Sequence, residues 1–159
     1  MKKYDLECLF SDIEALLVQN LNTKITAINA EKNDGITLKS VDNAAYFLQE
    51  LNGKQINFNP FILYGLETSN SESIRGHSIE DVTISVIIVI EDQGEDTKIS
   101  PRMLRYRRCL KEVFEDNFQI ISNSNTIKIQ SLVPVAFQTL NSSESYRAVG
   151  VNIKTVIDS

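Results

Sequence analysis

Apolar residues at the start of the chain recur at helical spacing. Leu6, Leu9, Phe10, Ile13, Leu16, Leu17 and Leu21 form one stripe, while Asp5, Glu7, Asp12, Glu14 and Gln19 fall elsewhere. This pattern predicts an amphipathic helix over residues 4 to 21. The segment Thr23 to Asp34 either prolongs that helix or forms a short second one, and Asp34-Gly35 is a turn signal that ends it. Val41, Ala44, Ala45, Leu48 and Leu51 share one side of a further predicted helix, residues 41 to 51, closed by Asn52-Gly53. The polar stretch NGKQINFNP, ending at Pro60, reads as irregular.

From Phe61 the period changes. Phe61 to Leu66 is a predicted strand and Val82 to Glu91 a stronger one. Val82, Ile84, Val86, Ile88 and Ile90 line one face of the second strand. Its other face carries Thr83, Ser85, Ile87 and Val89, beginning polar and finishing apolar. The far half therefore needs cover on both sides, one side from a helix and the other from something else, such as another subunit. Between the strands lies ETSNSESIRGHS, residues 67 to 78, read as a long polar loop of the kind that carries function. A second polar connection spans Asp92 to Lys98.

Ser100-Pro101 is a helix start, with Ser as N-cap and Pro at the first helical position, and the helix runs to about Asn117. Steps of about 100° place Met103, Tyr106, Cys109, Leu110, Val113 and Phe114 on one arc. Leu104 falls on the opposite side, among Arg108, Lys111 and Glu115. Ile127, Ile129, Val133, Val135 and Phe137 alternate along a further strand, Asn141 to Ser145 makes a turn, and Val149, Val151, Ile153 and Ile157 alternate along the last. Pro134 cannot donate to a ladder, which assigns its strand to an edge or a bulge. The predicted architecture is a single α+β domain over residues 1–159. Its mixed, mainly antiparallel sheet of about four strands packs against an N-terminal helix and a central helix.

Composition adds limits. At 159 residues, 42% hydrophobic and 23% charged, the chain has enough apolar material for a core and the balance of a globular protein. The net charge of −5 argues against tight nucleic-acid binding by the chain as a whole. The opening MKKYDLECLF has acids at Asp5 and Glu7 and no long apolar run, so no signal peptide is expected, and Val86 to Ile90 is too short to span a bilayer. No membrane association is expected, and a soluble cytoplasmic chain is the default expectation. Cys8 and Cys109 match no zinc spacing or redox pair, and both are expected to be reduced packing residues.

Candidate chemistry is sparse. His77 is the only histidine, which removes multi-histidine metal sites. Glu91, Asp92, Glu95 and Asp96 form the densest acidic cluster, but the register of EDQGED does not suit a calcium loop. No phosphate-cradling or nucleophile-elbow motif occurs. Neither a catalytic residue nor a metal site nor a cofactor is expected. Arg102, Arg105, Arg107 and Arg108 are the one basic concentration. Arg108 is set to pair with Glu112 and Lys111 with Glu115 at i, i+4. Arg102, Arg105 and Arg108 are candidate donors to carboxylates of another subunit.

The layout over nearly the whole length resembles the small neck proteins of tailed bacteriophages, the tail terminator and tail-completion group. The resemblance rests on an amphipathic N-terminal helix, the segment INAEKNDGITL, a short helix, NFNPFILYGLE, a polar loop, a long apolar strand, MLRYRRCLKEVFEDN and a closing pair of strands. It implies a non-catalytic virion protein forming a ring, commonly of six copies, that terminates the tail tube and joins it to the connector. The implied partners are other copies, the tail tube and connector or neck proteins, with DNA only passing through. Candidate contact residues are Ile74, Arg75, His77, Ile87, Val89, Arg102, Leu104, Arg105 and Arg108. The loop Glu91, Asp92, Glu95 and Asp96 would face the lumen, where acidic walls repel DNA phosphates. The alternatives are another oligomeric adaptor or structural protein, and a small ligand-binding domain.

Overall fold

The computed structural model describes residues 4–48, 57–91, 99–122, 125–139 and 146–158. Its elements are α1 (Leu6–Lys32), β1 (Tyr46–Leu48), β2 (Phe61–Ile74), β3 (His77–Glu91), α2 (Ile99–Asp116), β4 (Gln119–Ser122), β5 (Asn125–Thr139) and β6 (Tyr146–Asp158). The architecture is α+β, with two helices on a six-stranded sheet of order β1-β2-β3-β6-β5-β4. β1 runs parallel to β2, and every other neighbouring pair is antiparallel.

α1 is one helix, so the segment from Thr23 prolongs it as far as Lys32, with Asn33 and Asp34 just past its end. Asp5 caps it in an extended conformation, its side chain accepting from the Cys8 N–H at 3.0 Å. Leu9, Ile13, Leu17, Leu21, Ile25 and Ile28 are all buried, so the stripe stays on the core side for more than five turns. Asn33, in the left-handed region at φ 39°, ends it.

The helix expected over 41–51 does not form over its described residues, 41–48. Asn29 and Asn22, seven residues apart on α1, each hold the backbone of the following segment at both ends. Asn29 accepts from the Leu38 N–H at 2.8 Å and donates to its carbonyl at 3.0 Å. Asn22 does the same for Val41, both at 2.8 Å. Asp42 then makes a turn by accepting from the Ala44 N–H, and Tyr46–Leu48 joins the sheet edge as β1. The apolar spacing of Val41 and Ala45 fits a helix face, but here both are buried on either side of a single turn, which the Ala45 N–H closes by donating to the Asp42 carbonyl at 2.9 Å. Leu51, Asn52 and Gly53 lie outside the described residues, as do the turns Asp92–Lys98 and Asn141–Ser145.

The expected loop 67–78 is instead the distal half of a long hairpin. β2 and β3 pair out to Ile74↔His77, and Arg75 and Gly76 make the turn with φ 49° and 81°. Positive φ at both central positions gives the turn whose twist matches a hairpin. Ser, Thr, Asn and Glu here form a ladder with no apolar face, so no alternation announced a strand. β1 and β4, at three and four residues, are too short to show a period, which is why six strands stand where about four were expected.

The core lies between the helices and one face of the sheet. Val82, Ile84, Val86, Ile88 and Ile90 are buried, paired across with Ile62 and Tyr64 of β2 and Val149, Val151 and Ile153 of β6. The six residues of the predicted α2 arc are all buried against them. Ser100 and Pro101 fall inside the first turn of α2, because the helix starts at Ile99. Pro134 sits on the length of β5 beyond its pairing with β4, next to a register shift between Val135 and Gln138. Gly150 of β6 faces Ile87, and a Cβ there would stand 2.0 Å from the Val86 carbonyl oxygen. Only glycine allows the two backbones to come this close.

Candidate interaction surfaces

Three surfaces hold the residues singled out from the sequence. The first is the sheet face turned away from the helices. At the Glu91 end it carries the chain's own cover. Phe61 packs edge-on to Phe47 at 6.2 Å and Tyr146 at 6.4 Å, and Val89, flanked by Phe61 and Ala148, is fully buried. Part of the cover sought from another subunit is therefore internal, and Val89 has no surface to offer a partner. Ile87 remains half-buried, and Val133 of β5 is 45% exposed. Between them, Asn152 has a buried Oδ1 with no hydrogen-bond donor among the described residues.

The second surface is the seam between the C-terminal end of α1 and the start of α2. Leu104, 49% exposed, lies in a shallow groove lined by Ile28, Lys32, Pro101, Arg105 and Arg108. Arg108 grips Glu31 bidentately, at 2.9 and 2.8 Å, and donates from Nε to Glu112 at 2.8 Å. These bonds raise the guanidinium above its ordinary range and hold the Glu31 carboxyl below its own. Arg105 grips Asp34 with both terminal nitrogens and also donates to the Ile36 carbonyl at 2.9 Å. Its hydrogen bonds, with help from the Ile36 N–H, bring the Asp34 carboxyl down to about 2. Arg105 and Arg108, singled out as donors to another subunit, thus have carboxylates of their own chain. The pairing of Lys111 with Glu115, at 3.2 Å, is the i, i+4 bridge that the spacing predicts. Glu31 and Asp34 went unnoticed in the sequence, although their three-residue spacing matches that of Arg105 and Arg108 for antiparallel helices.

The third surface is the hairpin arm. Arg75 and His77 are exposed at its tip, and Ile74 pairs with His77 there, its side chain outside the described residues. Ile79 is 36% exposed, with Glu72 beside it on β2 and Asp158 on β6. Ser69 donates to Glu80 at 2.6 Å on the opposite face.

Of the acidic cluster, Glu91 is exposed and its backbone N–H donates to Asn59 Oδ1 at 3.1 Å, whereas Asp92, Glu95 and Asp96 lie outside the described residues. Arg102 lines a hollow of about 270 Å³ beside Glu91, with Lys39, Asn59 and Tyr106. Tyr106 donates to the Lys39 carbonyl at 2.8 Å, which ties the post-α1 segment to α2.

The nucleophile-bearing residues do not converge. Cys109 is buried in the α2 stripe, where burial pushes its thiol up to about 12. Cys8 is half-buried near the start of α1, and His77 stands at the arm tip. Among the described residues, no three His, Cys, Asp or Glu side chains group closely enough to hold a metal ion, and no helix is long and apolar enough to cross a membrane. No family model matches the chain, and no curated protein is significantly similar to it.

Proposed function

We propose that the chain is a non-catalytic assembly protein of the tailed-phage neck. In this reading, copies form a ring, commonly of six, that terminates the tail tube and joins it to the connector. The virion is its place of action. The observation that carries this reading is the division of the fold. One sheet face is sealed by two helices, while the other face, the helix seam and a projecting arm leave Ile87, Val133, Leu104 and Ile79 wholly or partly exposed. Apolar residues at separate edges of a compact fold are contact material for subunits on either side.

The electrostatics suit the same role. The ion pairs Arg105–Asp34 and Arg108–Glu31 tie α2 to α1 and to the chain just past its end. Glu91 at the far end of β3 would present acid to passing DNA and let it slide. The test is electron microscopy of particles grown without this chain. Heads and tails that fail to join, with uncapped tubes, support the reading, and normally joined particles overturn it.

A further inference from the structure

Asp34-Gly35 is the only Asp-Gly step in the chain, and it lies just past the end of α1. An aspartate before glycine is open to attack on its own side chain, because glycine sets no Cβ beside the attacking nitrogen. The Gly35 amide nitrogen adds to the Asp34 Cγ of the free acid, and a five-membered succinimide ring forms. The amide proton leaves with the carboxyl hydroxyl as water. Water then reopens the ring. Opening at the former side-chain carbonyl returns aspartate, whereas opening at the main-chain carbonyl leaves isoaspartate, its chain running through Cβ and Cγ. One water is lost and one regained, so no other reactant is required.

The fold primes this step. The Asp34 Oδ1 accepts from the Ile36 N–H at 3.1 Å, which folds the side chain back over the Gly35 peptide. Gly35 is exposed at φ 82°, and a Cβ there would meet nothing within 4 Å, so the turn is open to water.

Arg105 opposes it. Its two terminal nitrogens donate to the two Asp34 carboxylate oxygens, and Nη1 is also anchored on the Ile36 carbonyl at 2.9 Å. Only 11% of the Arg105 side chain is exposed, so its packing fixes the guanidinium that holds the carboxylate. A gripped carboxylate stays ionised, and it then lacks the hydroxyl that leaves as water. The planar fork also fixes the carboxylate plane, which must turn to present Cγ to the Gly35 nitrogen.

We propose that Asp34 is a latent isoaspartate site, primed by its turn and held closed by Arg105. When Arg105 lets go, through local opening or unfolding, the step proceeds. Conversion lengthens the main chain by one carbon and shortens the branch that bears the carboxylate, so the Arg105 fork no longer meets it. A copy that has opened therefore carries a mark, and refolds without the same tie between α2 and the chain leaving α1. The inference stands apart from the assembly reading and does not need it.

The test follows heavy oxygen from labelled water into the tryptic peptide Asn33–Lys39, with fragmentation to place it at Asp34. Each reopening of the ring leaves one solvent oxygen there. Wild type, Arg105→Gln and Arg108→Gln are incubated as full chains in mildly acidic buffer, with unfolding curves to show that each is folded. Arg108→Gln breaks the neighbouring bridge to Glu31 without touching Asp34. Label should enter Arg105→Gln about tenfold faster than wild type or more, as a carboxyl held at about 2 returns to its ordinary range. Arg108→Gln should stay close to wild type. Wild type unfolded in urea should label faster than wild type folded, a comparison that needs no variant to fold. Arg105→Gln labelling at the wild-type rate overturns the proposal. So does equal acceleration in Arg108→Gln, or wild type that labels as fast folded as unfolded.

Discussion

Arg105 reaches from α2 to Asp34 just past the end of α1, its Nη1 3.0 Å from Oδ1, and the same nitrogen donates to the Ile36 carbonyl at 2.9 Å. One side chain thereby ties together the two helices and the chain that leaves the first of them.

The bond has a pH signature. The Asp34 carboxyl sits at about 2, below its ordinary value. A carboxyl depressed by folding contributes stability above its unfolded pKa and loses that contribution as pH falls through the folded value. The stability lost in Asp34→Asn should be largest near neutrality and shrink between about pH 4 and pH 2. Urea denaturation of both proteins across that range measures it. A difference that does not change with pH contradicts the assignment.

Asn22 clamps the backbone of Val41, which is buried at 1% exposure. Replacing it with Leu keeps most of the volume but leaves a buried N–H and a buried carbonyl unpaired. The expected loss is about 2 kcal/mol, read from the denaturant midpoint. A loss within error would mean that water or another group satisfies Val41.

Gly150 allows β6 to lie against β3 at Ile87. Gly150→Ala places a methyl carbon where the Val86 carbonyl oxygen already stands. A rigid backbone contact cannot relax by a rotamer change, so the loss should reach about 3 kcal/mol. Chemical denaturation decides it, and an unchanged midpoint would show that the strands separate freely.

Cys109 is 1% exposed, and burial holds its thiol up to about 12. Its alkylation by iodoacetamide at mildly alkaline pH should proceed only through unfolding. Peptide mass spectrometry would show Cys109 labelling rising with denaturant in step with the unfolding transition. Rapid labelling of the native chain contradicts its place in the core.

The sequence announced those parts of the fold whose burial has a period. The α2 arc from Met103 to Phe114 and the inner face of β3 from Val82 to Ile90 stand as the spacing predicted. The arm could not be read this way, because a ladder of Ser, Thr, Asn and Glu exposed on both faces carries no alternation. Only Arg75-Gly76 marked its turn. The described part of the 41–51 segment, up to Leu48, departs from the expected helix for a complementary reason. Val41 and Ala45 have helical spacing, but side-chain amides from α1 compete for the backbone, and that competition acts across 19 residues. Among the surface residues, Leu104 was legible as the apolar exception on a charged helix face. The engagement of Arg105 and Arg108 was not, since it depends on how α1 and α2 align.

The most direct test of the assembly reading is the mass of the purified full chain by sedimentation velocity, from micromolar to near-millimolar concentration. The account predicts a closed species that dominates at the upper end, near six copies of the 17.9 kDa chain, and images as a ring. A single monomeric boundary at every concentration would contradict it.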